Sequence, residues 1–276
     1  MTAISTHPRA ATPAAIGTLL RDWRARRRVS QLDLALDVGV SPRHLSFIET
    51  GRSRPSPAML LALAERLEVP LRERNRLLLV AGYAPRYAER ALDADAMQGV
   101  RAALQRLLDA HEPYPGLVLD RQWNVVQANR AAQALVALLP PALQVLPLNI
   151  FRASLHPQGF AAHTANFDQW GRYLLDTLAR VATKTGDPAL LALEQEVLQY
   201  ANVQALRGRR DDAPARDAPL LLVPCIVDLP RGRLSMFTTL TTFGSPRDVT
   251  LDELCVELFY PSDAASEAML RALGDG

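Results

Sequence analysis

Lysine is all but missing from this chain. Lys184 stands alone among 31 basic residues, the rest being arginine, a bias that carries little information about function. Cysteine is scarce too, with two residues in 276. Cys225 and Cys255 both sit in apolar runs, CIVDL and ELCVELF, which predicts buried, reduced thiols rather than a redox pair. No run of ~18 apolar residues occurs. The start, MTAISTHPRAATPA, has neither an apolar core nor a cleavage pattern. Membrane spanning and export are therefore not expected, and a cytoplasmic setting is. Catalytic signatures are equally sparse. G-x-S-x-G, HExxH, a P-loop and paired catalytic carboxylates are all missing, so an enzyme is not expected. His156 and His163 have no cysteine or carboxylate at ligand spacing, which leaves no metal and no cofactor to predict.

What remains has an ordinary soluble composition, 49% apolar and 22% charged. A chain of 276 residues accommodates two domains, the first of roughly 80 residues. The net charge of +2 conceals an asymmetry. Residues 1–90 carry 15 arginines against 8 acidic residues, a net of +7, while residues 91–276 carry 16 basic against 21 acidic, a net of −5. Only the first third is suited to meet a polyanion. No internal repeat or low-complexity tract is present.

The densest local signals run from Ser30 to Pro57. Ser30 is suited to cap a helix, with Asp33 placed to reach back to its amide, and Leu32, Ala35 and Leu36 fall on one helical face. Gly39 supplies a tight turn at no steric cost. Ser41-Pro42 then opens a second helix, cap followed by proline at the first turn. Leu45 and Ile48 point inward, leaving Arg43, His44, Ser46 and Phe47 on other faces. Two short helices about such a turn predict a helix-turn-helix, whose second helix enters the major groove. Ile16, Leu19, Leu20 and Trp23 mark a helix before the motif. Met59, Leu60, Leu63, Ala64 and Leu67 mark one after it, and a further helix opens at Pro70 with Gly82 at its end.

These residues also carry a resemblance. Ser30-Gln31, Leu34-Ala35, Gly39-Val40-Ser41, Leu45-Ser46, Glu49, Gly51 and Pro55-Ser56 are similar to the Xre/Cro family of repressors, and the wording SPRHLSFIETGRSRPS resembles its MmyB-like branch. The resemblance implies five short helices over 14–82 and a PAS-like ligand-binding domain over 97–273; residues 83–96, YAPRYAERALDADA, read as the linker, and the acidic second domain is the expected dimer contact. The resemblance also implies a fatty acid-like ligand for that second domain.

Beyond the linker, a helix is predicted from Met97 to Ala110. GLVLDRQWNVVQAN follows as two short strands about an Asp-Arg turn, running into a helix up to Leu139. Phe167, Trp170, Leu174, Leu178 and Val181 form one helical stripe; Leu190, Leu191, Val197 and Leu198 form another. RGRRDDAPARDA reads as an exposed loop, and LLLVPCIVDLPRGRLSMFTTLTTFGSP as a hairpin. Thr250 with Glu253 predicts a capping box for a helix LDELCVELFY. The pattern alone supports an α+β domain; that its small antiparallel sheet is PAS-like rests on the resemblance.

Candidate site residues follow. Gln31 can bond a phosphate and brace the reading helix; Arg43 can fork onto guanine, and Ser41, Pro42, His44, Ser46 and Phe47 share its surface. Arg52 and Arg54 are phosphate clamps, which position without specifying. Glu49, an anion beside a polyanion, reads as structural. Phe151, Leu155, Phe167, Trp170, Leu174, Met236 and Phe237 are candidates for the wall of an apolar pocket, with Arg152, His156 and Arg172 as cations for a carboxylate. The expected partners are an operator in double-stranded DNA, an inverted repeat, a second copy of the chain and a small apolar ligand. Two rivals stand beside this reading. One is an antitoxin-like protein whose second domain only dimerises or binds another protein; the other is an enzyme fused to its own operator-binding domain.

Overall fold

A computed structural model describes residues 13–208 and 222–274. The exposed loop expected over 207–218 lies, from 209 onward, outside the described residues, as do the first two leucines of the predicted hairpin. The chain divides into two compact units. Unit 1 comprises Met1–Arg90 and Ser245–Asp252; unit 2 comprises Ala91–Gly244 and Glu253–Gly276.

Unit 1 is helical, with α1 (Pro13–Arg26), α2 (Gln31–Val38), α3 (Pro42–Glu49), α4 (Pro57–Arg66) and α5 (Leu71–Val80). The caps explain the boundaries. Ser30, Ser41 and Ser56 each accept a backbone N–H from three residues on, and Gly39 takes the left-handed conformation at φ +73°. Asp33 acts differently from the capping-box expectation, because its carboxylate accepts from the Ser30 hydroxyl at 2.6 Å. One core joins these helices, with Leu20, Leu34, Leu45, Ile48, Leu60, Leu63 and Leu67 fully buried. Of the face expected to comprise Leu32, Ala35 and Leu36, only Ala35 is buried; Leu32 and Leu36 are 53% and 65% exposed, and Leu34 is buried beside Ala35. The α1 and α3 backbones approach closely at Gly17, where an added Cβ would come within 2.8 Å of the Ile48 carbonyl oxygen.

The returning segment of unit 1 holds the short helix α12 (Val249–Asp252). Pro70 offers α5 no side-chain cap, and Asp252 Oδ2 accepts from the Leu71 N–H at 3.0 Å instead. Arg90 pairs with Asp248 at 2.8 Å, and the Thr250 hydroxyl donates to the Arg90 carbonyl at 2.6 Å.

Unit 2 is an α+β domain. Its helices are α6 (Gln98–Ala110), α7 (Arg130–Val136), α8 (Ile150–Leu155), α9 (Phe167–Thr185), α10 (Pro188–Val197), α11 (Ala201–Gly208) and α13 (Ala264–Gly274). Strands β1 (Gly116–Leu119), β2 (Val125–Ala128), β3 (Cys225–Leu229), β4 (Gly232–Thr242) and β5 (Cys255–Pro261) form an antiparallel sheet in the order β2-β1-β5-β4-β3. The predicted hairpin is present as β3–β4. The helix predicted over LDELCVELFY is not formed: α12 stops at Asp252, and residues 255–261 are the central strand. The reason is tertiary. β5 pairs with β1 on one side and β4 on the other, and Thr250 bonds Arg90 rather than capping a helix.

Candidate nucleic-acid interface and apolar cavity

The reading helix is held from behind by one carboxylate. Glu49, at the end of α3, is 3% exposed, yet it is fully partnered. Arg24 grips it through two bonds, Nε to Oε1 at 2.8 Å and Nη2 to Oε2 at 3.0 Å. Gln31 Nε2 donates to Oε2 at 3.0 Å, and Arg21 Nη2 to the Glu49 carbonyl at 3.0 Å. The bond from Glu49 raises the already high pKa of Arg24. Helices α1, α2 and α3 thus converge on one anion, and its charge is neutralised where a polyanion would otherwise repel it. Gln31 is half-buried and engaged in this network.

The opposite side of α3 stays open. Ser41, Pro42, Arg43 and His44 are exposed, and Ser46 and Phe47 are half-buried. Ser41 caps the His44 N–H at 3.2 Å. The guanidinium groups of Arg43 and Arg52 stand 5.4 and 5.8 Å from the centre of the Phe47 ring, so one aromatic supports two cations at the helix surface. Arg54 is otherwise engaged. It donates to the Ala81 carbonyl at 2.6 Å and lies 4.9 Å from the Tyr83 ring centre, bracing the end of α5.

In unit 2 the sheet and helices α7, α8 and α9 enclose an apolar cavity of about 80 Å³. Phe151, Trp170, Leu174 and Met236, four of the residues expected from the sequence, line it. Leu155 is fully buried in the core beside it, whereas Phe167 is partly buried against that core and Phe237 stacks on Tyr260. The three expected cations are outside the lining. Arg152 is held by Glu196 at 2.6 and 2.7 Å and pushes that carboxyl below its ordinary range. His156 packs edge-on against Tyr200, and Arg172 donates to the Leu206 carbonyl at 3.0 Å. Trp123, Phe259 and Glu257, not anticipated from the sequence, do line the cavity. Cys225 lines it as well, its thiol pushed up to about 12 by burial.

The sequence pattern of the MmyB-like transcription regulator ligand binding domain matches residues 100–273, and that of a helix-turn-helix matches residues 20–74. The chain belongs to the MmyB-like transcription regulators. It is therefore a DNA-binding regulator, with its helix-turn-helix over residues 20–74 and its family's ligand-binding domain over residues 100–273. Solved structures resemble parts of this MmyB-like chain. A crystal structure of the clp gene regulator ClgR from Corynebacterium glutamicum is 29% identical, covering 29% of this chain and 95% of that one, with a TM-score of 0.23. A second ClgR structure is 28% identical over 37% of this chain and 94% of that one, at 0.23. An RNA-binding Light-Oxygen-Voltage receptor is 14% identical over 95% of this chain and 62% of the receptor, at 0.26. No curated protein matches the MmyB-like chain.

Proposed function

We propose that this MmyB-like chain reads operator DNA as a homodimer through α3 and adjusts that reading to a small apolar molecule held in the unit 2 cavity. Residues 14–82 serve as the DNA-binding domain and residues 97–273 as the sensing and dimerising one, joined by 83–96. The observation that carries this reading is the two-sidedness of α3: its inner end is locked through Glu49, while Ser41 to His44 are left open to solvent. A rigid helix with an open basic first turn is what base reading in the major groove requires. The cavity supports the sensing half. Its lining residues Met236 on β4 and Glu257 on β5 flank, in sequence, the segment Ser245–Asp252 that is hydrogen-bonded into unit 1. A ligand can shift DNA affinity only by favouring one arrangement over another; about 1.4 kcal/mol of such preference gives a tenfold change.

The division of labour is tested by two substitutions on a duplex selected by the wild-type chain. Arg43→Ala should cost roughly 1–3 kcal/mol on that duplex and relax the preference at one base pair per half-site. Arg52→Ala should weaken selected and scrambled duplexes alike, and reduce the salt dependence by about one unit of slope. Equal, sequence-independent losses in both variants would refute the assignment of Arg43 as the base reader.

A further inference from the structure

Apart from Ser154 and Cys225, whose side chains are neutral, the cavity wall is apolar except at one place. Trp123, Phe151, Trp170 and Phe259 give it an aromatic surface, and among the described residues no arginine, lysine or histidine lines it. Glu257 does. It lies on the central strand β5, opposite Leu117 of β1 and Leu240 of β4, and is 7% exposed. Its hydrogen-bond partner is the Thr238 hydroxyl of β4, a neutral group. A carboxyl so placed has no cation to compensate it, and burial without compensation disfavours its charged form.

Resting on the reading that the cavity holds a ligand, we propose that this ligand is a compact apolar amine whose ammonium head bonds the Glu257 carboxylate. The head supplies what the wall lacks, a positive charge, and in an apolar site such charge-assisted bonds are short and strong. An anionic head of equal size would instead set two carboxylates side by side, or require them to share a proton. An alcohol falls between the two. The volume argues for a small molecule. About 80 Å³ is roughly half of a ~150 Å³ cavity that holds benzene, so a chain of about three carbons fits without the helices parting. The groups that feel the Glu257 charge are the thiols of Cys225 on β3 and Cys255 on β5, pushed up by burial to about 12 and about 11. Both therefore stay neutral where Glu257, brought by burial to about 7, changes charge.

The test is calorimetric titration of the intact chain at neutral pH with propylamine, propanol and propanoate, following tryptophan fluorescence in parallel. Propylamine should bind the wild type at least about tenfold more tightly than propanoate. Glu257→Gln should lose about tenfold in propylamine affinity while changing propanol binding little. The wild-type comparison of head groups stands whether or not the variant folds. Propanoate binding as tightly as propylamine, or a folded Glu257→Gln that keeps full propylamine affinity, would overturn the head-group assignment and leave ligand sensing intact. If none of the three bound, both would fall.

Discussion

Two glutamates decide most of the chemistry at the scale of single residues, and they differ in company. Glu49 is buried among Arg24, Arg21 and Gln31, whereas Glu257 is buried against Thr238 and hydrocarbon. The Glu257 carboxyl, ordinarily near 4.5, is brought to about 7 by burial. Between those values the native state holds a proton that the unfolded chain has released, so stability falls as pH rises through that window. The loss is absent below the lower value and complete above the upper one, at about 3 kcal/mol. Urea unfolding of wild type and Glu257→Gln at pH 5 and pH 8 checks this. The variant should show less loss between the two pH values than wild type; parallel behaviour would contradict it. The role of Glu49 was readable in the sequence, because an acid in a basic motif calls for a structural explanation. Glu257 was not: nothing local distinguishes it from the acids around it, and its environment exists only once β1, β4 and α8 have closed over it.

Among elements, the same contrast holds between locally and remotely determined structure. Helices α2 and α3 were legible because serine caps, Gly39 and Pro42 act within a few residues of themselves. Even there the buried face of α2 is not local information, since which side of an eight-residue helix meets the core depends on helices elsewhere in the chain. Strand β5 reads locally as a helix for a related reason. Its capping-box pair and spaced leucines fit a helix locally, but seven residues flanked by two strands gain more from sheet pairing. The crossing of α1 on α3 turns on Gly17, whose missing side chain lets the Ile48 and Glu49 carbonyls approach. Gly17→Ala should therefore destabilise unit 1 by roughly 1–3 kcal/mol through overpacking, despite the better helix propensity of alanine. Thermal unfolding followed by circular dichroism would show it; an unchanged or raised midpoint would mean that the crossing is not tight.

For the molecule as a whole, the asymmetry of charge matches the assignment of roles, with +7 over residues 1–90 and −5 over the remainder. A basic surface alone binds any duplex, and salt weakens such binding steeply. Specificity asks for more than one short helix can supply, because α3 spans eight residues and its exposed first turn reaches only a few base pairs. Two copies related by a two-fold axis would present two such helices about 34–36 Å apart, one turn of the duplex. The direct measurement is selection of bound duplexes from a random library by the intact chain, sequenced after several rounds at physiological salt. The expected result is enrichment of an inverted repeat with half-site centres about 10–10.5 base pairs apart, and loss of that enrichment with Arg43→Ala. Enrichment of no sequence over the starting library, by a folded chain that still binds DNA, would contradict it.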